Sequence, residues 1–210
     1  MIIDVWSDVV CPWCYIGRRR LQKALADFPN RADVTIRHRA FQLYPDISAT
    51  VPTTEHLAHK YQIAPAQVEQ MQANICAVAV GEGLYYQLDA TLSGNTLDAH
   101  RLLLWAAGIG KQAELLEAMY SGYFEKSLPL FSYADLLAMS DQVGIDHGSA
   151  QALLESDKFH HQVWEDGELA GELGANGVPF FVFDMKFRIS GAQPVEAFTQ
   201  TLEEAWKELA

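Results

Sequence analysis

Hydrophobic and polar positions follow two different periods along this chain, and the changes of period mark its elements. The run Ile2-Ile3-Asp4-Val5-Trp6 is short and apolar and reads as a buried strand. The polar pair Ser7-Asp8 and then Val9-Val10 lead to Cys11-Pro12. Proline suits the first helical position, where an N–H would have no intrahelical partner, so a helix is predicted to open there. Leu21, Ala24, Leu25 and Phe28 keep helical spacing until Pro29-Asn30 ends the run. Val34, Ile36, His38 and Ala40 then alternate with Thr35, Arg37 and Arg39, the period of a strand. Strand, helix and strand within the first 41 residues predict a parallel, right-handed unit.

The other end of the chain has the complementary pattern. Pro179 opens Phe180-Phe181-Val182-Phe183, Asp184-Met185 makes a turn, and Lys186-Phe187-Arg188-Ile189-Ser190 runs back as the second strand of an antiparallel hairpin. Gly191 and Pro194 lead into a helix with Val195, Phe198, Leu202, Ala205 and Leu209 on one face. The ends of the chain therefore supply β-α-β and β-β-α.

The middle reads as helical. Pro65 starts a helix with Val68, Met71, Ile75, Val78 and Ala79 on one face, closed by Gly81 and Gly83. Asn95-Thr96 caps a second, Leu97 to Ala107, and a third carries Leu115, Leu116, Met119, Tyr120 and Tyr123. Ser132 caps a fourth, and a last one runs from about Lys158 to Leu173. Packed core accounts for these stripes. Tyr85-Tyr86 and Phe180 to Phe183 read as core strand material. The domain organisation predicted is residues 1–41 with 175–210 as one unit, and 42–174 as a helical insertion.

Composition narrows the function. Fifteen Lys and Arg against 27 Asp and Glu give a net charge of −12, which argues against a phosphate-backbone partner. Arg18-Arg19-Arg20 is the one dense basic run, and it reads as a solvated helix face. No stretch approaches the roughly 20 apolar residues that span a bilayer. The N-terminal run is too short and acidic for a signal peptide, so neither nucleic acid nor membrane is expected as a partner, and a cytoplasmic location is expected. In that compartment a paired cysteine is catalytic, redox-sensing or metal-binding rather than a structural disulfide.

There are three cysteines, Cys11 and Cys14 in one motif and Cys76 alone. Cys11-Pro12-Trp13-Cys14 follows a strand and opens a helix. A thiol is a nucleophile only as thiolate, and a helix N-terminus favours negative sulfur through free N–H groups and the macrodipole. Cys11 is therefore predicted to be an exposed nucleophile. Cys14, one turn later, is predicted to be the less exposed resolving thiol. Zinc would need about four ligands. His56 with His59, or His160 with His161, are the pairs available, each in a polar helical stretch. A buried, inert cysteine pair is the other alternative. Cys76 lies on an apolar helical face and reads as a buried core thiol.

The run Ser7-Asp8-Val9-Val10-Cys11-Pro12-Trp13-Cys14-Tyr15-Ile16-Gly17 resembles the active-site opening of the DsbA-like FrnE family. Asn95-Thr96-Leu97-Asp98-Ala99-His100-Arg101 and Gly177-Val178-Pro179-Phe180-Phe181-Val182 are similar to that family as well. The resemblance covers the full length. It implies an α/β thioredoxin-like fold with a large helical insertion between its β-α-β and β-β-α halves. It also implies disulfide oxidase, reductase or isomerase activity, with Cys11 as nucleophile and Pro179 as the cis-proline facing it. The chain lacks the extra C-terminal cysteine pair of some members. Related kappa-class glutathione transferases and 2-hydroxychromene-2-carboxylate isomerases usually have Ser where this chain has Cys11.

The reaction expected is thiol–disulfide exchange on protein or small-thiol disulfides, with no metal or organic cofactor and with glutathione as an eligible redox partner. A glutathione-dependent transferase or isomerase on the same fold is the alternative, and a zinc-stabilised or thiol-free binding module is a third. Pro12, Trp13, Val178 and His100 are the expected substrate contacts: Trp13 as an exposed apolar surface, His100 as a cleft residue tuning Cys11 or touching substrate. A cis Val178–Pro179 bond is expected to turn the Val178 N–H and C=O outward, towards an extended substrate.

Overall fold

The computed structural model describes residues 1–209. The chain begins with β1 (Ile2–Ser7), α1 (Pro12–Ala26) and β2 (Thr35–Ala40). It continues through β3 (Val51–Pro52), α2 (Thr53–Tyr61), α3 (Pro65–Gly81) and β4 (Leu92–Ser93). Helices α4 (Leu97–Gly108), α5 (Gln112–Lys126), α6 (Tyr133–Gln142), α7 (His147–Leu154) and α8 (His160–Glu172) follow. It closes with β5 (Phe180–Phe183), β6 (Phe187–Ser190) and α9 (Val195–Lys207).

The four long strands form one sheet in the order β2-β1-β5-β6. β1 and β2 are parallel, with Ile2 opposite Thr35 and Ser7 opposite Ala40, while β5 runs antiparallel to both β1 and β6. The two ends of the sequence thus meet in the centre of the sheet. The hairpin turns through Asp184 and Met185, both at positive φ, and the Asp184 carboxylate accepts the Ile2 N–H at 2.7 Å.

Strand alternation gives the sheet two apolar faces. On one, Ile3, Val5, Phe181 and Phe183 pack with Leu21 and Ala24 of α1 and Phe198, Leu202 and Ala205 of α9. On the other, Trp6, Phe180 and Val182 pack with Ala170 of α8. Asp4 is buried on β1 and holds Arg37 and Arg39 in bidentate and single contacts at 2.7 and 2.9 Å. Asp166 of α8 accepts the outward Ala40 N–H of β2 at 3.0 Å and pairs with Arg39 at 3.1 Å, so part of this sheet edge is covered.

The helical segment between β2 and β5 has its own core of Leu102, Leu116, Met119, Tyr120, Phe124, Leu136 and neighbours. This core extends into the start of α1, taking in Val9, Val10, Cys11, Cys14, Tyr15 and Ile16. Ionic contacts tie α1 to the segment as well. Glu117 of α5 accepts from Tyr15, Arg18 and Arg19, and Glu82, just after α3, accepts from Arg20 and Lys23. Among the described residues no helix is long and apolar enough to cross a membrane.

Several sequence expectations change. Met71 is exposed on α3, because Gln72, which bonds the Leu88 carbonyl at 3.3 Å, faces inward instead. Tyr85-Tyr86 is not a strand: Tyr85 is exposed in a loop and only Tyr86 packs inward. Leu209 lies past the end of α9 and is exposed.

Candidate active site

Cys11 is the N-cap of α1, in extended conformation, and Pro12 follows at the first helical position. The Cys11 N–H donates to the Asp8 carbonyl at 3.1 Å, and the Cys14 N–H donates to the Cys11 carbonyl at 3.0 Å. These bonds wrap the motif into the first turn and place both sulfurs at the N-terminal end of one helix. Both cysteines are free thiols. Burial and the adjacent Cys11 sulfur push the Cys14 thiol well above its ordinary range.

Cys11 itself is 4% exposed, where the sequence predicts an open thiol. The cause is the core around it: Val9, Val10 and Tyr15 are drawn into the helical segment, and the motif goes with them. Trp13 is the exposed member of the motif, at 38%. Pro12 is half-buried, and its carbonyl accepts the Tyr86 hydroxyl at 2.9 Å. Tyr86 in turn stacks with Tyr15 and packs at a tilt against Phe124. A cavity of about 70 Å³ opens beside Val10 and Pro12.

The Val178–Pro179 bond is cis, as expected. Gly177, just before it, has φ 152°, a conformation that suits glycine. The Val178 carbonyl does not turn outward; it lies 3.5 Å from Cys11 Sγ, which donates to it. The Pro179 ring packs on α1 at Gly17, where an added Cβ would fall 3.0 Å from Pro179 Cγ and 3.1 Å from Phe181 Cζ.

His100 is not a cleft residue. It is buried on α4, and its Nε2 lies 3.3 Å from Oδ1 of Asp8, which is also fully buried. The other Asp8 oxygen accepts the Leu43 N–H at 2.8 Å. Asp8, Tyr86 and Gly17 are therefore the residues the sequence reading missed. A carboxylate three positions before Cys11 and followed by two valines is the one signal that marked Asp8. Cys76 is half-buried rather than core, with its thiol 3.8 Å from the Tyr86 carbonyl. Among the described residues no group of three or more His, Cys, Asp and Glu side chains is placed to hold a metal ion.

Comparison with known proteins agrees with this arrangement. Residues 2–203 match the model of the DSBA-like thioredoxin domain. A probable DsbA oxidoreductase from Streptomyces coelicolor is 39% identical, with a TM-score of 0.94 over 99% of this chain and 91% of that one. A 2-hydroxychromene-2-carboxylate isomerase is similar in fold at 19% identity, with a TM-score of 0.69 over 100% of this chain and 96% of the other. The cytosolic disulfide reductase DsbM from Pseudomonas aeruginosa, solved with GSH, is similar at 16% identity, with a TM-score of 0.68 over 99% and 100%. None of the curated proteins matches the chain. With nearly its whole length covered, the chain belongs to the DSBA-like thioredoxin domain family.

Proposed function

We propose that this protein is a thiol–disulfide oxidoreductase in which Cys11 and Cys14 pass between dithiol and disulfide, within the FrnE branch of its family. One observation carries the reading: two free thiols share the first turn of α1, with the Val178 carbonyl against the first of them. The Cys11 thiolate attacks a substrate disulfide and releases the first substrate thiol, leaving a mixed disulfide. Cys14 then attacks the Cys11 sulfur and releases the second. Two electrons pass from the protein dithiol to the substrate. The unequal environments of the sulfurs support this order, since burial keeps Cys14 protonated while Cys11 caps the helix.

Protein or small-thiol disulfides are the substrates of this reading. Exposed Trp13 offers an apolar contact, and the Val178–Pro179 loop holds backbone beside the reacting sulfur. A glutathione-dependent transferase or isomerase is the alternative reading, on a fold that a 2-hydroxychromene-2-carboxylate isomerase resembles. Cys14 favours exchange, because activating a bound thiol needs no second cysteine one turn on. An insulin-reduction assay with dithiothreitol as reductant separates the two. Acceleration by the wild type that falls to background in Cys11→Ala and Cys14→Ala supports exchange. Activity that appears only with glutathione and an electrophile, and survives Cys14→Ala, supports the alternative.

A further inference from the structure

A cleft of about 470 Å³ opens between α1, β2 and the turn that joins α4 to α5, and neither thiol of the motif lines it. It lies on the seam between the sheet and the helical insertion, where ligand sites are common, and its volume is that of a small-molecule site. Val5 of β1, Ile36 of β2 and Phe181 of β5 give it an apolar floor, and Leu21 of α1 and Ala107 of α4 stand at its sides. The exchange steps give this cleft no role.

Its charge runs against that of the molecule. The chain carries a net charge of −12, yet among the described residues no Asp or Glu lines the cleft, while Arg18, Arg37 and His38 do. Arg37 is engaged by Asp4 at 2.7 Å. Gln112 is spent on the backbone of β2, accepting the His38 N–H at 3.4 Å and donating to the His38 carbonyl at 3.1 Å. Arginine only donates, so His38 Nε2 accepts from Arg18 at 3.0 Å. Burial and then Arg18 bring the His38 value down to about 3, so its ring is neutral and leaves the Arg18 charge as it is.

Arg18 is therefore the polar anchor of the cleft. Its side chain is 12% exposed and held from three sides, by Glu117 at 3.1 Å, His38 at 3.0 Å and the Ala113 carbonyl at 3.1 Å. These bonds engage three of its five N–H groups and leave two. Glu117 is shared with Arg19, so two cations face one carboxylate and the cluster keeps a positive charge. Lys111 and Glu114, at the start of α5, pair with each other and add nothing to it. A fixed guanidinium beside an apolar floor recognises an anion at little cost in ordering.

We propose that this cleft binds a small organic acid, its carboxylate on Arg18 and its apolar body along Leu21, Ile36 and Phe181. The site is separate from the thiols and stands whether or not the exchange reading holds.

Calorimetric titration of the intact protein with octanoate tests this, and one saturable site is expected. Octanol has the body without the charge and acetate the head without the body, and each should bind roughly ten-fold more weakly or worse. N-acetyl-leucine puts the same head on an amide-bearing body. The tighter of this probe and octanoate tells whether the ligand is peptide-like or a plain aliphatic acid, and either supports the site. Ala107 is exposed at the rim, so Ala107→Phe fills the cleft without altering a charge. Ala107→Phe and Arg18→Gln should each weaken octanoate roughly ten-fold or more. If circular dichroism shows Arg18→Gln unfolded, Ala107→Phe carries the comparison. No saturable binding of octanoate, equal binding of octanol, or wild-type affinity in Ala107→Phe overturns the proposal.

Discussion

The Cys11 thiol donates to the Val178 carbonyl at 3.5 Å, across 167 positions of sequence. This contact brings the β-α-β opening and the β-β-α close of the chain together at one sulfur. The sheet makes it possible, because β1 and β5 are paired with Trp6 opposite Phe180, so the segments leaving their adjacent ends stay close. The loop before β5 has a second anchor on α1, where Gly17 leaves room for the Pro179 ring.

Gly17→Ala is therefore expected to act on the site without touching a thiol. The added methyl would fall 3.0 Å from Pro179 Cγ and 3.1 Å from Phe181 Cζ, and Phe181 is fixed in the sheet core. Overpacking of this kind costs about 1–3 kcal/mol. Chemical denaturation should show that loss, and insulin reduction should fall as the loop is pushed off Cys11. A variant with wild-type activity would show that the close packing of Pro179 on α1 is dispensable.

Tyr86→Phe removes the hydroxyl that donates to the Pro12 carbonyl at 2.9 Å and keeps the ring that stacks on Tyr15. A net loss of about 1 kcal/mol is expected for this bond. The exchange rate should fall a few-fold, because the motif loses its one hydrogen bond to the loop after α3. Unchanged kinetics would mean that the first turn of α1 holds itself.

Cys76→Ala should leave exchange intact. Among the described residues its thiol hydrogen-bonds the Tyr86 carbonyl alone, at a weak 3.8 Å, and the half-buried side chain packs at the edge of the helical core. A stability loss of about 1 kcal/mol is expected, smaller than for a fully buried side chain. Loss of turnover in folded Cys76→Ala protein would bring a third thiol into the mechanism.

Stability should depend on pH with a definite sign. His38 has its value brought down from 6.5 to about 3 by burial and then by Arg18, so the unfolded chain binds its proton more readily. Its contribution is complete above 6.5 and is lost as pH falls from there towards 3. Glu117 and Glu82 add to this lower down. Burial raises each, but hydrogen bonds from Arg19 to Glu117 and from Lys23 and Arg20 to Glu82 hold both below 4.5. Their contributions are present above that value and disappear as pH drops through the folded ones. Urea midpoints should fall from pH 6.5 to 4.5, and His38→Gln should flatten that part of the curve. A wild-type midpoint constant over this range would contradict the assignment.

What the sequence made legible follows from physics that acts locally. Val34 to Ala40 announces a strand by alternation, and Pro12 and Ser132 announce helix starts by their own backbone chemistry. The hairpin after Pro179 is equally local. Short elements gave no such signal: β3 and β4 are two residues each, and α7 at eight residues has less than three turns of period. Contacts between distant segments were also invisible. Nothing near Asp8 indicates a histidine 92 positions away, and nothing in the motif says that Cys11 would be covered by the helical core. Tyr85 and Tyr86 misled because aromatic pairs favour strands, while here one ring packs inward and the other faces solvent.

The central claim is that Cys11 and Cys14 form one reversible two-electron couple. Equilibrating the protein in glutathione buffers of graded redox poise, then alkylating and mapping the thiols by mass spectrometry, tests it directly. The account predicts that a single intramolecular disulfide, Cys11–Cys14, appears and disappears along one two-electron titration curve while Cys76 stays alkylated throughout. A protein whose Cys11 and Cys14 never join, or whose oxidised form is only a stable glutathione adduct on Cys11, would contradict it.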